Sequence, residues 1–232
     1  MGTVMDINTD YQLSRLRLLQ LVSPSLPVGA FTYSQGLEWA VECEWVTDKA
    51  TLKAWIENLL ESTMAHLEVP VFCRLYQAAA NRDSDALLYW SHYLVASRET
   101  RELRMEERNR GRAMASLMPE LGIPITAENL PLFKQCQVAG FAYAAHHWGI
   151  PLADAAAGYL WGWLENITLA GVKIIPLGQT AGQKIIAELT TSIPEAVATG
   201  MDIPDESIGA SCIAQAMASS LHETQYTRIY RS

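Results

Sequence analysis

Apolar positions recur at three- and four-residue intervals along most of the chain, which is the spacing of amphipathic helices. Leu13, Leu16 and Leu19, with Leu21 and Val22, form the apolar set of a first short helix. The stretch Ser23-Pro24-Ser25-Leu26-Pro27-Val28-Gly29 ends it, because two prolines and a glycine cannot continue a helix. A second helix is predicted over residues 32–45. Thr47-Asp48 reads as the cap of the next, in which Leu52, Trp55, Ile56, Leu59 and Leu60 share a face. Pro70 starts or kinks the helix that carries Phe72, Leu75 and Tyr76, and Asp83-Ser84-Asp85 caps another. A charged helix follows to about Met118, stopped by Pro119, Gly122 and Pro124. Segments 130–148 and 152–170 are apolar on most faces, as central helices of a bundle would be. Shorter helices are predicted over 179–190 and 205–221. Strand alternation is nearly absent. The pattern predicts an all-α fold, a single-domain helical bundle of about ten helices.

Half of the 232 residues are hydrophobic and 18% are charged, enough apolar surface for a core and too little charge for a disordered body. The net charge of −8 argues against a general nucleic-acid binder. Cys43, Cys73, Cys136 and Cys212 are far apart and show no ligand spacing, so free thiols in a reducing compartment are expected. Two uncharged runs, 18–37 and 135–153, approach membrane-spanning length. They contain Pro24, Pro27, Gln135, Gln137 and the His146–His147 pair, groups that lipid would leave unpartnered. No apolar leader opens the chain, and a cytoplasmic protein is expected, with no membrane contact.

Enzymatic signatures are missing. No histidine has an acidic residue three positions before it, so the Glu-x-x-His pairs of a di-metal bundle are absent. Gly178-Gln179-Thr180-Ala181-Gly182-Gln183-Lys184 fails as a phosphate loop because Gln183 stands where glycine must precede the lysine. Residues 97–112, SRETRELRMEERNRGR, hold six arginines and four glutamates. They read as a solvated helix laced with pairs such as Arg98–Glu102 and Glu106–Arg110, or as a protein-docking face on which arginine grips carboxylates. Gly158 and Gly162, one turn apart, permit a close helix approach. The chain closes on HETQYTRIYRS, whose Tyr, Ile and Arg are residue types enriched in protein interfaces. Tyr226, Ile229 and Tyr230 would share a face if this tail were helical.

Four segments resemble the UreF family of urease accessory proteins: LLQLVSPSLPVGAFTYSQGLE (18–38), SRETRELR (97–104), GVKIIPLGQTAGQ (171–183) and HETQYTRIYRS (222–232). The resemblance implies an all-helical cytoplasmic homodimer, not itself an enzyme and without a cofactor, that acts in maturation of the nickel enzyme urease. Its implied partners are UreD (UreH in some organisms), the GTPase UreG and apo-urease. The implied role is to modulate UreG in GTP-dependent nickel insertion. Glu38 and Lys173 are the residues expected on the UreG side. Tyr226, Arg228, Ile229, Tyr230 and Arg231 are those expected on the UreD side, in a tail, 222–232, attached to a helical domain, 1–221. The reading from another class is a helical-bundle enzyme acting on a small molecule in a pocket lined by tryptophans and Cys136. It requires a convergent acid–base pair, which the sequence does not display.

Overall fold

Asp48 begins the longest helical run by accepting the Thr51 N–H at 2.8 Å, while the Thr51 hydroxyl oxygen accepts the Asp48 N–H at 3.0 Å. The run continues without a break through α3 (Lys49–Leu59), a π-helical segment (Leu60–Glu68) and α4 (Val69–Asn81). Pro70 sits just beyond the widened turns. In a regular α-helix its ring would strike the His66 carbonyl and leave that oxygen unpaired. Here the Gly209 N–H donates to His66 O at 3.0 Å, so a distant loop completes the helix that proline interrupts. This computed structural model describes residues 7–231.

The other helices are α1 (Ile7–Val22), α2 (Leu37–Glu42), α5 (Ser84–Ala96), α6 (Arg101–Glu120), α7 (Leu130–Phe133), α8 (Gln137–His147), α9 (Leu152–Ile174), α10 (Gln179–Thr190), α11 (Ile193–Asp202) and α12 (Ile213–His222). Among the described residues there is no strand. The fold is all-α, as its periodicity predicts. Helices α4, α8 and α9 meet at its centre, where Phe72 stacks on Tyr159 at 5.5 Å between ring centres and Phe141 stands edge-on to both.

Several boundaries differ from expectation, each for a local reason. The predicted helix 32–45 is a 3₁₀ turn (Ala30–Thr32) followed by the short α2, because Gln35 and Gly36 take positive φ values of 54° and 86°. Segment 130–148 splits into α7 and α8, with Cys136 extended between them. Helix α11 stands where none was expected, and the predicted 205–221 helix begins only at Ile213. The leucines of α1 mark a face but not its direction. Leu13, Leu16 and Leu19 point to solvent, while Leu18 and Val22 pack on α9 over Gly158 and Gly162. A Cβ on Gly158 would lie 2.6 Å from Leu18 Cδ1, so the small-residue pair serves a contact inside the chain.

The arginine-rich stretch departs furthest from a solvated helix. Glu102, Glu106 and Glu107 are all buried. Arg98, in the link before α6, does not pair with Glu102. It reaches Glu68 on the π segment and Glu107 Oε2 at 2.7 Å. The Tyr159 hydroxyl donates to the same Glu68 at 2.9 Å, and Glu107 Oε1 accepts the Val138 N–H at 3.1 Å, capping the first turn of α8. Glu106–Arg110 forms as predicted, at 2.8 Å, but inside the molecule. One network thus joins the long helix, α6, α8 and α9.

Burial pushes the Glu107 carboxyl up, but the Arg98 and Arg110 guanidiniums and the hydrogen bonds it accepts outweigh this and hold it below the usual range. Its contribution to stability is full above the ordinary glutamate range and is lost as pH falls through the depressed value. Glu107→Gln is expected to cost about 3–5 kcal/mol at neutral pH by leaving Arg98 underpaired. It should also make stability fall less steeply with acidification than in the wild type, as urea titrations across the acid range will measure.

Candidate functional site

The terminal segment is where this chain builds a site. Gly36 is the N-cap of α2, and a Cβ there would lie 2.7 Å from the Ser219 backbone nitrogen. Glycine therefore lets α2 press against α12, which brings Glu38 of α2 to His222 at the end of α12. From the other side, the Thr100 cap of α6 meets Ser219 Oγ at 2.7 Å, and Glu223 Oε1 accepts the Glu102 N–H at 3.3 Å. Three helix ends converge on one imidazole.

His222 is fully buried between two carboxylates, with Nδ1 2.6 Å from Glu102 Oε2 and Nε2 3.2 Å from Glu38 Oε2. Both carboxylates also hold the tail. Glu38 accepts consecutive backbone N–H groups, Ile229 at 2.6 Å and Tyr230 at 2.9 Å, while Glu102 Oε1 takes Arg228 Nη1 at 2.8 Å. The Arg231 N–H donates to Thr32 O at 2.9 Å. A ring of charge-assisted hydrogen bonds thus runs from α2 through His222 and α6 into the tail and back.

These placements revise the expectations for the named residues. Glu38 is only 5% exposed and holds the tail, so in this chain it presents no surface charge. Lys173 is exposed in the last turn of α9, with no ion-pair partner among the described residues. The structure therefore does not join Glu38 and Lys173 in one constellation. The tail folds back on its own domain and is not helical, so Tyr226, Ile229 and Tyr230 do not share a face. Tyr230 is 7% exposed, whereas Ile229 is 72% exposed and Tyr226 wholly so. Arg228 and Arg231 lie on the surface beside them.

Sequence reasoning missed His222 and Glu102. A lone histidine is commonplace, and its partners stand 184 and 120 positions away, so no spacing could reveal them.

No small-molecule site emerges around Cys136. Its side chain is fully buried, and burial first, then the Glu107 charge, holds the thiol well above its ordinary range. The partly open cavity beside Glu68, Arg98, Arg110 and Tyr159 has a volume of about 70 Å³, far below ordinary ligand pockets of roughly 300–1,000 Å³. Among the described residues, no three His, Cys, Asp or Glu side chains converge as a metal site, and no helix is long and apolar enough to cross a membrane.

The UreF family profile matches residues 46–190. The chain is 48% identical to the urease accessory protein UreF of Alcanivorax borkumensis over 225 residues, covering 93% of this chain and 97% of that protein. The chain belongs to the UreF family. Identity to the UreF proteins of Pseudomonas entomophila and Citrobacter koseri is 47% and 44%, covering 97% and 94% of this chain and 100% and 97% of theirs. The profile match ends before α12 and begins after α2, so it excludes Glu38, His222 and the tail. The full-length relatives span most of the chain beyond it.

In this UreF-family chain the tail's attachment should depend on the ring. Glu38→Gln or His222→Gln weakens charge-assisted bonds worth about 1.5–3 kcal/mol each. Amides of Ile229, Tyr230 and Arg231 are then expected to exchange roughly ten- to a hundredfold faster, by hydrogen-exchange mass spectrometry. Lys173→Ala should leave them unchanged.

Proposed function

We propose that the chain is a non-catalytic scaffold of urease maturation, cytoplasmic and homodimeric, that binds UreD and recruits the GTPase UreG to apo-urease. In that assembly it modulates GTP-dependent delivery of nickel, which is cargo passing to urease. The observation that carries this reading is the tail. Its backbone is pinned by Glu38 and Thr32 and its Arg228 side chain by Glu102, while the large side chains of Tyr226 and Ile229 are held out in solvent. Ordering a free peptide costs about 1–2 kcal/mol of backbone entropy per residue. A tail already anchored to its own body has met much of that cost before a partner arrives. Tyr226, Ile229 and Arg228 are the proposed UreD contacts, together with the exposed Arg231. Tyr230 faces inward and acts as the peg that seats them. Lys173 is the proposed UreG contact, and Glu38 acts on partners through the tail it holds.

Homodimerisation has its own support in α1, where Leu13, Leu16 and Leu19 expose an apolar row among the described residues. Light scattering on the purified chain should give twice the monomer mass, and charged replacements of Leu16 and Leu19 should reduce it to the monomer.

The tail reading is tested by truncating after Glu223, which retains the buried His222. The truncated chain is expected to stay folded and helical yet fail to co-purify with UreD. Tyr226→Ala with Ile229→Ala should do the same while leaving the tail attached. Normal UreD capture by both variants would refute the assignment. Lys173→Ala is expected to reduce UreG retention with UreD capture intact.

A further inference from the structure

Helix α6 is two-sided in charge. The acids of its first two turns, Glu102, Glu106 and Glu107, turn inward and are consumed by His222, Arg228, Arg110, Gln35 and Arg98, and the helix's one other acid, Glu120, is exposed at its far end. Glu99, just before it, is bound to Ser211 Oγ at 2.6 Å. The outer side carries Arg101, Arg104, Arg108 and Arg112, at spacings of three, four and four residues, which places them in one row about 16 Å long. Arg101, Arg108 and Arg112 are exposed and have no ion-pair partner among the described residues. Arg104 is half-buried and donates to the Arg98 carbonyl.

Such a row is unfavourable for an isolated helix. Like charges one turn apart repel, and Arg101 and Arg104 fall in the first turn, at the positive end of the helix dipole. Beside the row lies an open cleft of about 510 Å³ between α6 and the tail, lined by Arg101, Arg228 and Arg231 with Met105, and by two carboxylates already engaged within the chain, Glu102 with His222 and Arg228 and Glu223 with the Glu102 N–H. Positive charge is thus gathered on one face of a chain whose net charge is −8. We propose that the outer arginine row of α6 and the cleft beside it dock an acidic segment of a partner protein, whose carboxylates the guanidiniums take up in pairs. Exposed Met105 gives that segment an apolar footing within the row. A nucleic acid fits less well, because the row is short and a longer polyanion would run onto the acidic remainder of the surface. The cleft shares Arg228 and Arg231 with the proposed UreD contacts, but the row Arg101, Arg104, Arg108 and Arg112 lies apart from Tyr226 and Ile229, so the test is placed on the row and does not require the partner to be UreD or UreG.

The test uses the full chain and a fluorescent oligo-glutamate peptide, followed by anisotropy at low and physiological salt, with a single-stranded oligonucleotide of equal charge as competitor. Wild type is expected to bind the peptide with a salt-dependent affinity. Arg108→Glu with Arg112→Glu should weaken binding by about tenfold or more, and Arg108→Lys with Arg112→Lys should retain part of it. Neither residue holds the fold through an ion pair, so melting temperatures should match. If the reversed variant misfolds, the neutral pair Arg108→Gln and Arg112→Gln makes the same comparison. Peptide binding that is absent in wild type, or unchanged in the variants, overturns the proposal. So does tighter binding of the oligonucleotide through the same arginines. None of these outcomes depends on UreD capture, so failure here and failure of the tail reading remain separable.

Discussion

Three carboxylates enter the interior from one helix, and each is met by groups from a different part of the chain. Glu107 meets Arg98 and the start of α8, Glu106 meets Arg110 and Gln35, and Glu102 meets His222 and Arg228. A buried carboxylate without such partners would cost several kcal/mol, so every helix that supplies one is held to its place. Pairs of this kind add less to net stability than apolar packing would. What they add is position: α6 cannot rotate or slide without stranding a charge.

That constraint links the core to the surface. Turning these three acids inward leaves α6 with arginine on the outer side of its first three turns, and the same inward turn supplies the carboxylate that, with Glu38, holds the tail. The interior network, the anchored terminus and the cationic face are three results of one helix's orientation.

Local features of the fold were legible where a single residue decides them. Asp48 and Asp83 cap helices as their types announce, each accepting an N–H three residues on. Gly158 marks a helix crossing. The failures are of another kind. Of the expected α1 set, Leu21 and Val22 face the interior while Leu13, Leu16 and Leu19 face solvent, because periodicity says that a face exists and nothing about what it meets. Glu38 looked like surface charge because its burial depends on α12, almost the whole chain length away. The predicted i, i+4 pair Arg98–Glu102 lost to Glu68 and Glu107, partners brought in by tertiary packing. Family membership was legible from linear motifs, and the reason those motifs stand together was not.

The widened helix over Leu60–Glu68 has a meaning for how this chain tolerates change in length. A π segment closes its bonds five residues back, so it holds residues that a regular helix of equal height would not. It acts as a phase shifter between α3 and α4. Deleting one residue from it would let the helix close up into regular α geometry. The Pro70 ring would then be left with no widened turn to accommodate it and would meet the His66 carbonyl, which now accepts the Gly209 N–H. A change of length here is therefore opposed by a single proline and by the loop bond that replaces its missing one, in the middle of the longest helical run among the described residues.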